Sequence, residues 1–192
     1  MSKVALSFFQ TNNVQDIAKK LLGKIIYVNA NGHISSAIIT ETEAYQGPED
    51  KASHAYDNKR TKRTEVMYNN GGCCYIYLCY GIHYLFNIVT NKKNIPHAVL
   101  IRSGNVNSGV DYIQKRRGHN IKYSNLLKGP GNFTKGLGIN MQFNSFQLNS
   151  KHIWIENNSI TDFSIESTQR VGIDYAGEDA LLPWRYILKD FR

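Results

Sequence analysis

The chain has 192 residues, of which 42% are hydrophobic and 20% charged, an ordinary globular composition with room for one substantial core. No run is long and apolar enough to span a bilayer, and Met1-Ser2-Lys3-Val4-Ala5-Leu6 is broken by Gln10, Asn12 and Asn13, which reads against a secretory leader. The net charge of +8 favours a polyanionic partner.

The charge is concentrated in Lys59-Arg60-Thr61-Lys62-Arg63, Lys92-Lys93 and Lys115-Arg116-Arg117. Each run reads equally as a solvated face or as a set of phosphate contacts. Cys73, Cys74 and Cys79 are odd in number and crowd into one segment. They read as reduced packing residues of an intracellular, cytoplasmic protein. A composition rich in Asn, Lys and Ile hints at an AT-rich, bacterial genome.

Asn13 is placed to cap a helix in which Val14, Ile17, Ala18, Leu21 and Leu22 share a face and Gly23 is the stop. Lys24 to Asn29 predicts a strand, and Asn31-Gly32 a tight hairpin turn. The returning strand, apolar from Ile34 to Ile39, delivers Glu41 and Glu43 near its end. Residues two apart in a strand point the same way, so both carboxylates share a face. Gln46-Gly47-Pro48 ends the strand, and a polar loop carries His54 and the first basic run to Arg63.

Cys73 to Thr90 is dense in aromatics. Tyr75 and Tyr77 predict one strand face, Ile76 and Leu78 the other, and Tyr80-Gly81 the tip. An aromatic at a turn is costly as packing and useful as a wedge between stacked bases. Ala98 to Ile101 predicts a buried strand ending in Arg102, which suggests a carboxylate partner or an anionic ligand. Val110 to Arg117 predicts a short helix stopped by Gly118, and Gly129-Pro130-Gly131 opens a second that closes near Gly138. Ile153-Trp154-Ile155 and Ser164-Ile165-Glu166 read as strands around a turn at Asn157-Asn158. Trp184 to Leu188 predicts a closing strand after the Gly-punctuated loop from Arg170 to Glu178.

The six histidines form no His-Glu-x-x-His pattern, and the cysteines no Cys-x-x-Cys pair. A Walker loop, a dinucleotide fingerprint and a Gly-x-Ser-x-Gly elbow are also missing. The expectation is chemistry without metal or cofactor, carried by carboxylates, tyrosines, a histidine and an arginine.

Glu41-Thr42-Glu43-Ala44-Tyr45-x-Gly47-Pro48-Glu49-Asp50, His54, Tyr75-Ile76-Tyr77-Leu78-Cys79-Tyr80-Gly81 and Asn87 closely resemble the alkyladenine (3-methyladenine) DNA glycosylase family. Leu100-Ile101-Arg102, Gly129-Pro130-Gly131, Arg170-Val171-Gly172-Ile173 and Ala176-Gly177-Glu178 fit the same family in order. The resemblance implies a single α+β domain over residues 1–192: a curved, mainly antiparallel sheet with surrounding short helices and a protruding β-hairpin. It implies excision of alkylated or deaminated purines (3-methyladenine, 7-methylguanine, hypoxanthine, ethenoadenine) flipped out of double-stranded DNA, by a monomer.

By that likeness Glu43 is the general base, and Arg102 with the Val171 carbonyl helps hold the water. Tyr45 and Tyr77 stack on the flipped base, which His54 contacts, and Asn87 lines the pocket against normal guanine. Tyr80, next to Gly81, fills the gap in the duplex, while Lys59, Arg60, Lys62 and Arg63 contact the DNA backbone. His54 is also a candidate acid for neutral bases. Glu41 reads as structural, and Tyr75 and Tyr84 as core. A non-catalytic nucleic-acid-binding module is the alternative, but a pure phosphate binder gains nothing from a carboxylate at the strand end.

Overall fold

The computed structural model describes residues 2–158 and 162–190. The Asn13 side chain accepts the Asp16 amide at 2.8 Å and starts α1, Val14–Leu21, whose buried face is Val14, Ile17, Ala18 and Leu21. After Gly23, at φ +80°, the chain enters β1, Ile25–Ala30, and turns at Asn31-Gly32. Both turn residues have positive φ, the geometry that matches the twist of a two-residue hairpin. The return strand β2, His33–Tyr45, spans 13 residues and passes through both glutamates.

The hairpin of β3, Cys74–Cys79, and β4, His83–Thr90, follows, with Tyr80 and Gly81 at its tip in left-handed conformations. Next comes β5, His97–Ser108, then the helices α2, Val110–Arg117, and α3, Pro130–Leu137. Three short strands complete the fold: β6, Ile153–Glu156, β7, Ser164–Thr168, and β8, Arg185–Lys189.

All pairings are antiparallel, in the order β3-β4-β5-β2-β1-β6. A second branch, β7-β8, joins β2 at Glu41, Thr42 and Glu43. The α+β class and curved antiparallel sheet expected from the sequence are what the chain forms. The two strands expected around Asn157-Asn158 do not face each other: β6 pairs with β1, and β7 with β8.

Alternation sorts the sheet into two faces. Ala44, Ile76, Phe86, Ile88, Val99 and Ile101 join the main core with α1 and α3, where Phe133 and Leu137 are fully buried. Each fully buried Leu, Ile or Phe contributes about 1.5–3 kcal/mol. The intervening residues, Glu43, Tyr45, Tyr75, Tyr77, Asn87 and Leu100, face the opposite side. Thr42 ties the two layers, its hydroxyl donating to the Ala18 carbonyl at 2.9 Å.

The segment after Tyr45 must turn at once to bring His54 back over this second face. Gly47 makes the turn at φ +64°, where an added Cβ would lie 2.7 Å from the Pro96 carbonyl oxygen. Left-handed strain costs an ordinary residue about 1–2 kcal/mol, and overpacking adds about 1–3 kcal/mol. Gly47→Ala is therefore expected to lose about 2–5 kcal/mol of unfolding free energy in a urea titration.

Candidate active site

Glu43 is fully buried on the doubly flanked stretch of β2, opposite Leu100 of β5 and Arg185 of β8. Its Oε1 accepts the Val171 amide at 2.8 Å and lies 3.3 Å from an Arg102 Nη1. Its Oε2 accepts the Tyr45 hydroxyl at 2.9 Å. Burial and the adjacent Glu43 charge push the Tyr45 hydroxyl well above its usual range, so it stays a donor. The Val171 amide meets Glu43 directly, in addition to the water contact expected of its carbonyl.

Arg102 reaches both carboxylates because of a β-bulge. Glu41 pairs with Ser103, and the next residue, Thr42, with Ile101, so Arg102 is the extra residue in β5. The bulge lets neighbouring residues turn the same way: Arg102 Nε donates to Glu41 Oε1 at 2.8 Å and Ser103 Oγ to Glu41 Oε2 at 2.6 Å. Arg185 adds a third bond, at 2.7 Å. Burial works against the Glu41 charge, but the hydrogen bonds from Ser103, Arg102 and Arg185 outweigh it and hold the carboxyl below its usual range. Glu41 is thus the clamp on Arg102, as its structural reading anticipated. The sequence reading ended this strand at Arg102; β5 runs on to Ser108 because the bulge absorbs the residue.

A cavity of about 660 Å³ opens on this face, lined among others by Tyr45, His54, Tyr77, Asn87, Arg102 and Val171. The volume suits a small planar ligand. Glu43 itself is not part of the lining. It lies one hydrogen bond behind it, capped by Tyr45, Arg102 and Val171. Asn87 is buried and donates to the Tyr75 carbonyl at 3.2 Å. Tyr75 combines both roles considered for it, being 2% exposed yet part of the cavity wall.

His54 receives a donor from Arg63 at 3.1 Å on Nε2, and its Nδ1 lies 2.9 Å from the Tyr75 hydroxyl. Arginine can only donate, so Nε2 is the acceptor and Nδ1 carries the proton. Burial first, then the Arg63 and Lys59 charges, bring His54 down to about 4. It is therefore neutral at pH 7. Its ring meets Tyr77 edge-on at 4.6 Å.

Tyr80 is 91% exposed at the hairpin tip, with Ile82 exposed beside it. The basic runs divide. The Arg63 guanidinium covers the Tyr77 ring at 4.7 Å and lines the cavity. Arg60 pairs with Glu65 and stacks on Tyr68, whereas Lys59 and Lys62 are exposed. On α2, Arg116 donates to Ser35 and to the Gly136 carbonyl, and Arg117 to the Leu126 carbonyl, so both brace the fold. Sequence reasoning missed Arg63 as a cavity residue, and Tyr175, which lines the rim and is 71% exposed. Only a tertiary contact marks either one. Among the described residues, no three His, Cys, Asp or Glu side chains gather as a metal site, and no helix is long and apolar enough to cross a membrane.

A curved sheet holding a buried acid behind a tyrosine-walled cavity defines a site for a flat ring, beneath an exposed aromatic hairpin. The model of the methylpurine-DNA glycosylase family matches residues 7–192. A Chlamydia felis protein is 45% identical over 183 residues, covering 95% of this chain and 94% of the relative. Relatives from Natranaerobius thermophilus, 42% identical over 191 residues (98% and 96%), and Borrelia garinii, 40% identical over 185 residues (95% of each), match equally broadly. All three are provisionally named 3-methyladenine DNA glycosylases. The chain belongs to the methylpurine-DNA glycosylase family.

The low His54 value has a sign. The unfolded chain binds the proton more readily between about 4 and 6.5, so the contribution of His54 is present above that window and lost as pH falls through it. The effect is on the order of 3 kcal/mol. The difference in melting temperature between wild type and His54→Gln should shrink as pH is lowered from 7 to 4.

Proposed function

We propose that the chain is a monofunctional DNA glycosylase that works as a monomer, one domain over its whole length, on double-stranded DNA. It hydrolyses the N-glycosidic bond of alkylated or deaminated purines after flipping them into the tyrosine cavity. The observation that carries the reading is the placement of Glu43, a buried carboxylate held by two hydrogen-bond donors, Tyr45 and Val171, and the Arg102 charge, all of which border that cavity.

Breaking the bond between C1′ and the base nitrogen builds positive charge on the sugar, which a fixed carboxylate stabilises. The bonding electrons leave with the base. A water oxygen attacks C1′, and its proton passes to Glu43. Each oxygen accepts one hydrogen bond, Oε1 from the Val171 amide and Oε2 from the Tyr45 hydroxyl, with the Arg102 guanidinium 3.3 Å from Oε1. Arg102, locked by Glu41, keeps the carboxylate aimed at the cavity.

Tyr45 and Tyr77 grip the extruded base. Stacking is worth about 1–3 kcal/mol per base, and flipping costs a few kcal/mol, less for a damaged pair. The exposed Tyr80 fills the space the base leaves, while Gly81 gives the tip its tight left-handed turn. Asn87 at the cavity floor restricts which purine edge fits. Lys59 and Lys62 contact the backbone phosphates.

Purines alkylated at N3 or N7 are cationic as nucleosides and depart as neutral bases, needing no acid. They are the lesions this site serves most directly, in keeping with the names of the relatives. Neutral hypoxanthine and ethenoadenine need a proton on the departing base, and the low His54 value favours solvent as its source. The binding-module alternative has no observation of its own, since burying Glu43 costs desolvation that phosphate binding does not recover.

Glu43→Gln keeps the shape and removes the charge. Base release from 7-methylguanine and hypoxanthine duplexes should fall at least about 100-fold, with affinity for the damaged duplex within a few-fold of wild type. Undiminished release would take Glu43 out of the mechanism.

A further inference from the structure

Behind Tyr45 lies a second charged pair. Arg170 and Asp50 have no exposed side-chain surface. The guanidinium forks onto the carboxylate, Nη1 to Oδ2 at 2.5 Å and Nη2 to Oδ1 at 2.9 Å. The same nitrogens donate to the carbonyls of Ala44 at 2.9 Å and Asp179 at 3.1 Å. Asp50 also accepts the amides of Gln46 and Ala52. The guanidinium lies between two rings, 4.8 Å from the centre of Tyr45 and 5.1 Å from that of Trp184.

Such a pair is a poor device for stability. Desolvating two charges costs several kcal/mol each, and apolar replacements of similar volume are often neutral or stabilising. Among the described residues, this one also leaves the Arg170 Nε buried without a partner. What the pair does achieve is placement. Its guanidinium backs the ring of Tyr45, whose hydroxyl meets Glu43 Oε2. It fixes the Ala44 carbonyl between Glu43 and Tyr45. It also anchors the residue just before Val171, whose amide meets Glu43 Oε1.

We propose that the buried Arg170–Asp50 pair is a positioning element for catalysis, setting from behind both Tyr45 and the Val171 amide and through them the aim of Glu43. The proposal rests on the reading of Glu43 as the base. It makes Arg170 and Asp50 residues that never touch substrate yet govern the chemical step.

The test is single-turnover base release at saturating enzyme, with duplex affinity and melting temperature measured alongside. The variants are Asp50→Asn, Arg170→Lys and the apolar pair Asp50→Leu/Arg170→Met, each made in wild type and in Glu43→Gln. A small misplacement of a catalytic group costs up to about 100-fold. The chemical step should slow about 10–100-fold in the wild-type background, with affinity for a damaged duplex changed less than about 3-fold. Arg170→Lys keeps the charge without the planar fork and should not restore the rate.

In the Glu43→Gln background the same changes should add little, because residues acting through one group are not additive. Should the apolar pair fail to fold, the isosteric Asp50→Asn decides. Folded variants with the wild-type rate would overturn the proposal, as would an equal slowing in both backgrounds, which marks general damage. If Glu43→Gln itself releases base normally, the reading of Glu43 fails instead, and the two failures are told apart.

Discussion

A carboxylate without solvent access persists only if its oxygens are met by donors held in place. Glu43 meets that demand through Tyr45, Arg102 and the Val171 amide, and each donor belongs to a different part of the chain. Tyr45 lies two residues along the same strand. Arg102 comes from the neighbouring strand, turned inward by a bulge. Val171 comes from the loop that leads into the closing strand. The cavity exists because these three segments converge on one acid.

The strand β2 makes the convergence rigid. Along Ile34–Ile38 it pairs with β1, and along Glu41–Glu43 with β8, while β5 runs down its other edge. Glu43 therefore sits on backbone paired from both sides, which fixes its Cα, while Tyr45, Arg102 and the Val171 amide fix the aim of its carboxylate. The aromatic wall is built the same way. Tyr75 and Tyr77 share a face of β3, and Asn87 sits directly opposite Tyr75 on β4. Under the proposed function, a base entering between Tyr45 and Tyr77 would meet two side chains mounted on separate strands of one sheet, which leaves little ordering cost to the ligand.

Much of this was legible from periodicity alone. The shared face of Glu41 and Glu43 follows from a two-residue repeat, the first turn from Asn31-Gly32, and the tip from Tyr80-Gly81. The bulge at Arg102 was not, because an inserted residue leaves no signature in an apolar run. Nor was the fate of the basic runs. Arg116 and Arg117 look like a phosphate patch in sequence, yet their donors are spent on Ser35 and on carbonyls. Arg63 turns into the cavity while its neighbours Lys59 and Lys62 do not line it. Charge can be counted in a sequence, but the direction of a long side chain is decided by partners far away in the chain. The Arg170–Asp50 pair, 120 residues apart, is invisible for the same reason.

If Glu43 is the base, it must face the sugar of a nucleotide held in the tyrosine cavity. A crystal structure of the Glu43→Gln protein on a duplex with one hypoxanthine tests it most directly. The base is expected between Tyr45 and Tyr77, Tyr80 in the gap, and a water about 3 Å from residue 43 on the C1′ face. A base still stacked in the helix, or a flipped nucleotide whose C1′ turns away from residue 43, would contradict it.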